Sequence, residues 1–208
     1  MKISFALTVC NEFVEIQRLL SFLLENKRPK DEIVVLYDKG HGDSKIEEFL
    51  RAKSINGEFN WHYYIFDGDF SKMKNKLTSL CSGDWIFNID ADEMITPYLI
   101  DILPEVLKLN PEIDMFKISR INKVENITFE HLQKWGWRMD TRDQRINFPD
   151  KQNRIYKNND KIKWKNKVHE VLEGYETVSE LPMEDQWCLI HNKTIGKQEK
   201  QNSYYDTL

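Results

Sequence analysis

The sequence of 208 residues has few cysteines and no Cys-x-x-Cys pair: Cys10, Cys81 and Cys188 are odd in number and far apart. That usage fits a reduced, intracellular, cytoplasmic protein. Its length suffices to bury a core without disulfide or metal staples. Long apolar runs are missing too, so no transmembrane segment is expected. The apolar start, Ile3 to Cys10, is broken by Asn11 and Glu12 and lacks a small-residue cleavage site, so it reads as a strand and not as a signal peptide. No excess of positive charge exists, the net charge being −4, which removes any overall pull toward nucleic acid or an anionic membrane. Lys161, Lys163, Lys165 and Lys167 alternate, as on a solvated strand edge. Repeats and low-complexity tracts are absent. There is no glycine between Thr8 and Glu12, where a dinucleotide-dependent oxidoreductase would carry Gly-x-Gly-x-x-Gly.

What is present is alternation. A strand over Ile3 to Val9 precedes a helix with Ile16, Leu19, Leu20, Leu23 and Leu24 at helical spacing, ending before Arg28-Pro29. Strands at Glu32 to Tyr37 and Trp61 to Phe66 are each followed by a helix, at Ser44 to Lys53 and Phe70 to Cys81. Strand and helix in turn through residue 95 predict an α/β fold with a parallel sheet and crossover helices. Pro97 to Leu109 reads as a further helix capped by Thr96, and Asp114 to Asn122 as a fifth strand. Beyond it the pattern loosens: Gln133 to Asp150 reads as a long loop or flap. Short strands are expected at Arg154 to Tyr156, Lys161 to Trp164, Val168 to Leu172 and Gln186 to Ile190, with a terminal helix from Gly196.

The fourth strand organises the rest. Trp85-Ile86-Phe87-Asn88-Ile89 is aromatic and β-branched, and it runs into Asp90, Ala91, Asp92 and Glu93. Ligands bind at the carboxyl ends of strands in open α/β sheets. If the extended backbone persists, Asp90 and Asp92 point the same way, and two hard oxygen donors suit Mg²⁺ or Mn²⁺. Alone, the same acids could merely complement a helix dipole.

Several motifs in this order resemble the family 2 glycosyltransferases of bacteria and phage, with a GT-A fold. SFALTVCNE is similar to the family's opening strand and its polar-Asn-Glu turn. Asp38 ends the second strand, and FSKMKNKL resembles the helix that usually reads Ala-x-x-Arg-Asn, with Lys74 and Asn75 in the Arg-Asn places. GDWIFNIDADE resembles the strand with the metal-binding Asp-x-Asp. NRIYKN and IKWKNKVHEVLEGY resemble short strands ending in Val-His-Glu, and His191 before NSYYDTL resembles a late His followed by a helix.

The resemblance implies a single GT-A (Rossmann-like) domain over 1–208, a mixed, mostly parallel sheet flanked by helices, with a nucleotide-binding half at 1–95 and an acceptor-binding half at 96–208. It implies an inverting, metal-dependent hexosyltransferase taking a UDP-sugar as donor. The acceptor would be a carbohydrate, a lipid-linked glycan or a peptide. Thr8, Asn11, Glu12, Asp38, Lys74, Asp90 and Ala91 would hold the nucleotide sugar. Asp92, with Asp90 and His191, would hold Mn²⁺ or Mg²⁺, and Asp90 could instead take the ribose. Glu170 is the expected general base, with Asp185 in reserve, while His169-Glu170 could equally be a structural pair. Trp135 and Trp137 could stack on an acceptor sugar or pack the loop. A non-catalytic sugar-nucleotide-binding module is the main alternative. A phosphohydrolase is another, although its Asp-x-Asp commonly lies on a first strand.

Overall fold

The computed structural model describes residues 1–205. In chain order the strands are β1 (Ile3–Val9), β2 (Glu32–Asp38), β3 (Asn60–Tyr64), β4 (Trp85–Asp90), β5 (Glu93–Met94), β6 (Met115–Glu125), β7 (Ile146–Lys157), β8 (Lys163–Lys165), β9 (Val171–Glu173), β10 (Val178–Glu180) and β11 (Leu189–Thr194). The helices are α1 (Phe13–Asn26), α2 (Ser44–Lys53), α3 (Phe70–Ser79), α4 (Pro97–Leu109), α5 (Phe129–Trp135) and α6 (Ile195–Tyr205). The last three residues of NSYYDTL, 206–208, lie outside the described residues.

The main sheet runs β3-β2-β1-β4-β7-β6-β11-β5, with β10 paired to β6. Strands β1 to β4 are parallel, and β7 enters antiparallel between β4 and β6. The result is the expected mixed, mostly parallel α/β sheet flanked by helices. Alternate residues of β1 face opposite sides: Phe5 and Leu7 pack with Leu19, Leu20 and Leu23 of α1, while Ala6 packs on the side of Met73 and Leu77 of α3. With both faces covered, β1, β2 and β4 are largely apolar between their ends. Helix α4 starts as its sequence implies, Thr96 Oγ1 accepting from Leu99 N at 3.1 Å with Pro97 next.

The second half departs from the sequence reading. Residues 133–150 are not one long loop: α5 occupies their start, and a twelve-residue strand, β7, begins at Ile146 and takes in the short strand expected at Arg154 to Tyr156. Its polar residues hide the strand because one stretch of it lines a cavity and needs no apolar face. The segment expected to begin the last strand is a 3-10 turn, Asp185–Trp187, and β11 follows it.

At the opposite end of the sheet from the carboxylates, Glu32 joins three segments. Its oxygens accept from Lys2 Nζ at 2.7 Å, Ser4 Oγ at 2.5 Å, Ser82 N at 2.6 Å and Ser82 Oγ at 2.8 Å. Burial would raise its pKa, but these hydrogen bonds outweigh it and lower the group to about 2. A depressed carboxylate stabilises the fold above its unfolded value and loses that contribution as pH falls through the folded one. Glu32→Gln should therefore be about 1–2 kcal/mol less stable at pH 7, after allowing for solvent screening. The difference should fade as pH falls from the unfolded value near 4.5 to about 2. Urea unfolding at several pH values checks this, and a difference that does not change with pH would contradict it.

Candidate active site

The carboxyl ends of β1, β2 and β4 open into a cavity of about 1040 Å³, walled on the far side by β6, β7, β11 and the loop before β9. Thr8, Asn11, Glu12, Asp38, Lys74, Asp90, Ala91, Asp92, Glu170 and His191 all line it. Asp185 does not: it sits on the 3-10 turn, 69% exposed, and pairs with Arg145 Nη2 at 2.7 Å.

On the β1–β2 side, the acids tie down backbone. Glu12 Oε2 accepts from Cys10 N at 2.9 Å and Asn11 N at 3.0 Å, which curls the turn after β1. Asp38 is buried; its Oδ1 accepts from Gly40 N and Phe66 N, and its Oδ2 faces His41 Nδ1 at 3.0 Å and the Cys10 thiol at 3.7 Å. A Cβ on Gly42 would lie 2.3 Å from the Asp38 carbonyl oxygen, so only glycine lets this turn close. The Cys10 thiol is pushed up to about 12 by burial and by the charges of Asp38 and Glu12, which makes it a poor nucleophile.

Across the cavity, Lys74 of α3 is buried, its ammonium bonded to Glu170 and 4.6 Å from the centre of the Trp164 ring. Asn75 holds β8 by a two-way clamp on the backbone of Trp164, at 2.9 Å each way. The adjacent Lys-Asn pair thus divides into one charge at the cavity and one structural clamp. Glu170 follows His169, whose φ of +52° is left-handed, so the loop is held in a strained form where it presents this carboxylate. Trp137 lines the cavity and Trp135 packs against it at 4.8 Å, outside the lining.

At the end of β4 the carboxylates part. An arginine engages Asp90, while Asp92 faces another strand. Arg154 of β7 donates through Nη2 to Asp90 Oδ2 at 2.5 Å and to Glu93 Oε1 at 2.8 Å. Glu93, fully buried, also accepts from Arg120 Nη1 at 2.9 Å and, through Oε2, from the Asp90 backbone N at 3.0 Å. Burial would raise the Asp90 pKa, yet the Arg154 charge wins and holds it well below the usual range, while the same carboxylates push Arg154 up.

Asp92 turns toward β11 instead. Pairing of β11 with β5 sets His191 opposite Glu93, and this places His191 Nε2 at 3.2 Å and Lys193 Nζ at 3.5 Å from Asp92 Oδ2. Burial works against the Asp92 charge, but the His191 hydrogen bond, reinforced by the charges of His191 and Lys193, lowers it to about 2. Among the described residues, no group of three or more His, Cys, Asp and Glu is gathered around a cation position. Asp92 Oδ2 and His191 Nε2 lie 3.2 Å apart at the cavity, with Lys193 Nζ 3.5 Å from the same oxygen. A hard oxygen with an imidazole nitrogen fits a Mn²⁺ or Mg²⁺ ion that completes its shell with ligand and water oxygens.

Glu93, Arg120, Arg154 and Lys193 escape the sequence reading. Glu93 stood in the acidic cluster without a role of its own, and the arginines lay among polar residues with no motif. Arg154→Met should leave Asp90 without its cation and Glu93 with Arg120 alone, and cost about 3–5 kcal/mol. Arg154→Met with Glu93→Gln should recover part of that loss. Chemical unfolding measures both, and a loss below about 1 kcal/mol would contradict the cluster's role.

The Glycosyl transferase family 2 model matches residues 4–171. The lipopolysaccharide core biosynthesis glycosyltransferase LpsC of Rhizobium meliloti is 29% identical over 87 residues, 42% of this chain and 32% of LpsC. Solved structures of S. aureus TarS share the fold. One matches with a TM-score of 0.60 at 18% identity over 92% of this chain and 37% of that one. The 1–349 form with UDP matches with a TM-score of 0.59 at 17% identity over 92% and 60%. The chain thus spans less than two thirds of each of these relatives. No helix among the described residues is long and apolar enough to cross a membrane. With its family model spanning both the Asp-x-Asp strand and the loop of Glu170, the protein belongs to glycosyl transferase family 2.

Proposed function

We propose that the protein is an inverting, metal-dependent glycosyltransferase that moves a sugar from a UDP-sugar to a carbohydrate, lipid-linked or peptide acceptor. The observation that carries this reading is the convergence of Asp92 Oδ2 and His191 Nε2 at 3.2 Å on a cavity at the carboxyl ends of parallel strands. Two further facts support it. TarS, with the same fold, has been solved with UDP and with UDP-GlcNAc. LpsC is a lipopolysaccharide core enzyme by its description.

In this reading the domain works in two halves. Residues 1–95 take the nucleotide through Thr8, Asn11, Glu12 and Asp38, with Lys74 facing the diphosphate. Residues 96–208 shape the acceptor side. Asp92 and His191 would hold the cation, which as a Lewis acid neutralises the charge that builds on the departing diphosphate. Asp90, fixed by Arg154, stays oriented toward the donor without swinging.

The acceptor needs a base. Glu170 lies at the cavity and Asp185 does not, so the geometry favours Glu170. In the free protein Lys74 bonds it. A bound diphosphate would draw the ammonium away and leave the carboxylate for the acceptor hydroxyl. Glu170 then takes the hydroxyl proton as the new bond to the sugar forms and the bond to the diphosphate breaks. The same Lys74–Glu170 pair also suits a second reading, a sugar-nucleotide-binding module whose Glu170 serves only to hold Lys74.

A panel of nucleotide sugars with and without Mn²⁺ separates these readings. A UDP-sugar at 100 times its Kd should stabilise the fold by about 2.7 kcal/mol, raising Tm by roughly 5–10 °C. Nucleoside diphosphate should appear only with metal and intact Asp92. Glu170→Gln should keep donor binding and lower kcat by about 10²- to 10⁴-fold. Binding without turnover across many acceptors would favour the module, and no binding of any donor would sink both.

A further inference from the structure

The pairing of Asp92 with His191 raises a question of proton placement that the surrounding strands answer. We propose that Asn122 and Asp150 are positioning residues that hold the His191 ring by its Nδ1–H and so present Nε2 beside Asp92 as a cation ligand. The inference rests on the reading above that these two side chains hold a divalent ion.

Asp150 on β7 anchors the relay. Its Oδ2 receives Arg120 Nε at 2.9 Å and Nη2 at 2.8 Å, and its Oδ1 receives Gln152 Nε2 at 2.6 Å. Burial would raise this carboxyl, but the Arg120 charge and the hydrogen bonds of Asn122, Arg120 and Gln152 keep it below its ordinary value. An ionised carboxylate only accepts. Asn122 Nδ2 therefore donates to Asp150 Oδ2 at 2.8 Å, which turns the amide oxygen the other way.

That oxygen lies 2.7 Å from His191 Nδ1. An amide oxygen also only accepts, so Nδ1 must carry the proton. With Nδ1 so engaged, Nε2 is the ring nitrogen that faces Asp92 Oδ2, at 3.2 Å. A flipped amide would set Asn122 Oδ1 against Asp150, carboxylate against carbonyl, so the orientation resists reversal.

Sheet register builds the relay. Asn122 sits beside His191 in the parallel ladder of β6 and β11, and Arg120 sits opposite Asp150 in the antiparallel ladder of β6 and β7. Arg120 also donates to Glu93, so the relay and the buried cluster around Arg154 share one residue. Partners of this kind behind a metal-bound histidine are worth about 10- to 100-fold in metal affinity.

The experiment is a double-mutant cycle on Mn²⁺ affinity, measured by electron paramagnetic resonance with saturating UDP, for wild type, Asn122→Ala, His191→Ala and the double variant. If Asn122 acts through His191, Asn122→Ala should weaken Mn²⁺ about 10- to 100-fold in the wild-type background and by less than about twofold in the His191→Ala background. Equal losses in both backgrounds would reduce Asn122 to a tie between strands and overturn the proposal, as would no loss at all. A wild type that binds no Mn²⁺ would overturn the cation reading as well. Should Asn122→Ala not fold, ¹⁵N shifts of the neutral His191 ring in metal-free wild type decide: a protonated Nδ1 supports the relay and a protonated Nε2 contradicts it.

Discussion

The buried guanidinium of Arg154 is the interaction on which the site depends. It lies at the end of β4, where a strand apolar on both faces gives way to carboxylates, and it neutralises Asp90 and Glu93 at once. Two acids in a low-dielectric interior repel each other and lose hydration, so a cation beside them offsets that cost. Arg154 also touches Asn88 Oδ1 at 3.2 Å, which fixes it to the body of β4. Its Nε has no hydrogen-bond partner, a cost the fold bears to keep the cation in place.

The cluster's main consequence is asymmetry. Asp90 is held by an arginine and Glu93 grips the Asp90 backbone, so the turn between Asp90 and Glu93 is rigid. Asp92 is left to face β11, where His191 and Lys193 meet it. Rigid placement of this kind matters because a group misplaced by about 1 Å can lose much of its effect on a reaction. On the opposite wall the arrangement is looser: Glu170 stands on a loop with a left-handed His169, tied by Lys74 and by the Phe70 N to Lys167 O hydrogen bond at 2.9 Å. One wall of the cavity is thus locked by buried charge, and the other is held by bonds that a ligand could exchange.

How far this was legible in the sequence follows from burial. Strands β1, β2 and β4 are covered on both faces and spell themselves out in apolar runs, and the helices between them carry their apolar stripe. Asp38, Lys74, Asp92, Glu170 and His191, which the structure brings to one cavity, stood out in the sequence because each stands in a motif. Only Arg154 to Tyr156 of β7 was read as strand, its start being taken for a loop, because Asn147, Asp150, Lys151, Gln152 and Asn153 line a polar cavity and carry no apolar alternation. Arg120 and Arg154 were missed for a related reason: a buried arginine looks in sequence like a solvated one until its partners, some 30 and 60 residues away, are brought beside it. The sequence could not show that Asp90 faces Arg154 while Asp92 faces His191, because both partners lie on strands far away in the chain.

The most direct test of this asymmetry compares Mn²⁺ binding in Asp90→Asn and Asp92→Asn, with UDP present, by titration calorimetry. If Arg154 reserves Asp90 and leaves Asp92 to the cation, Asp92→Asn should abolish Mn²⁺ binding. Asp90→Asn, which keeps the shape of its partner to Arg154, should then weaken binding by less than about tenfold, or about 1.4 kcal/mol. Equal loss in the two variants would contradict the account, and greater loss in Asp90→Asn would reverse it.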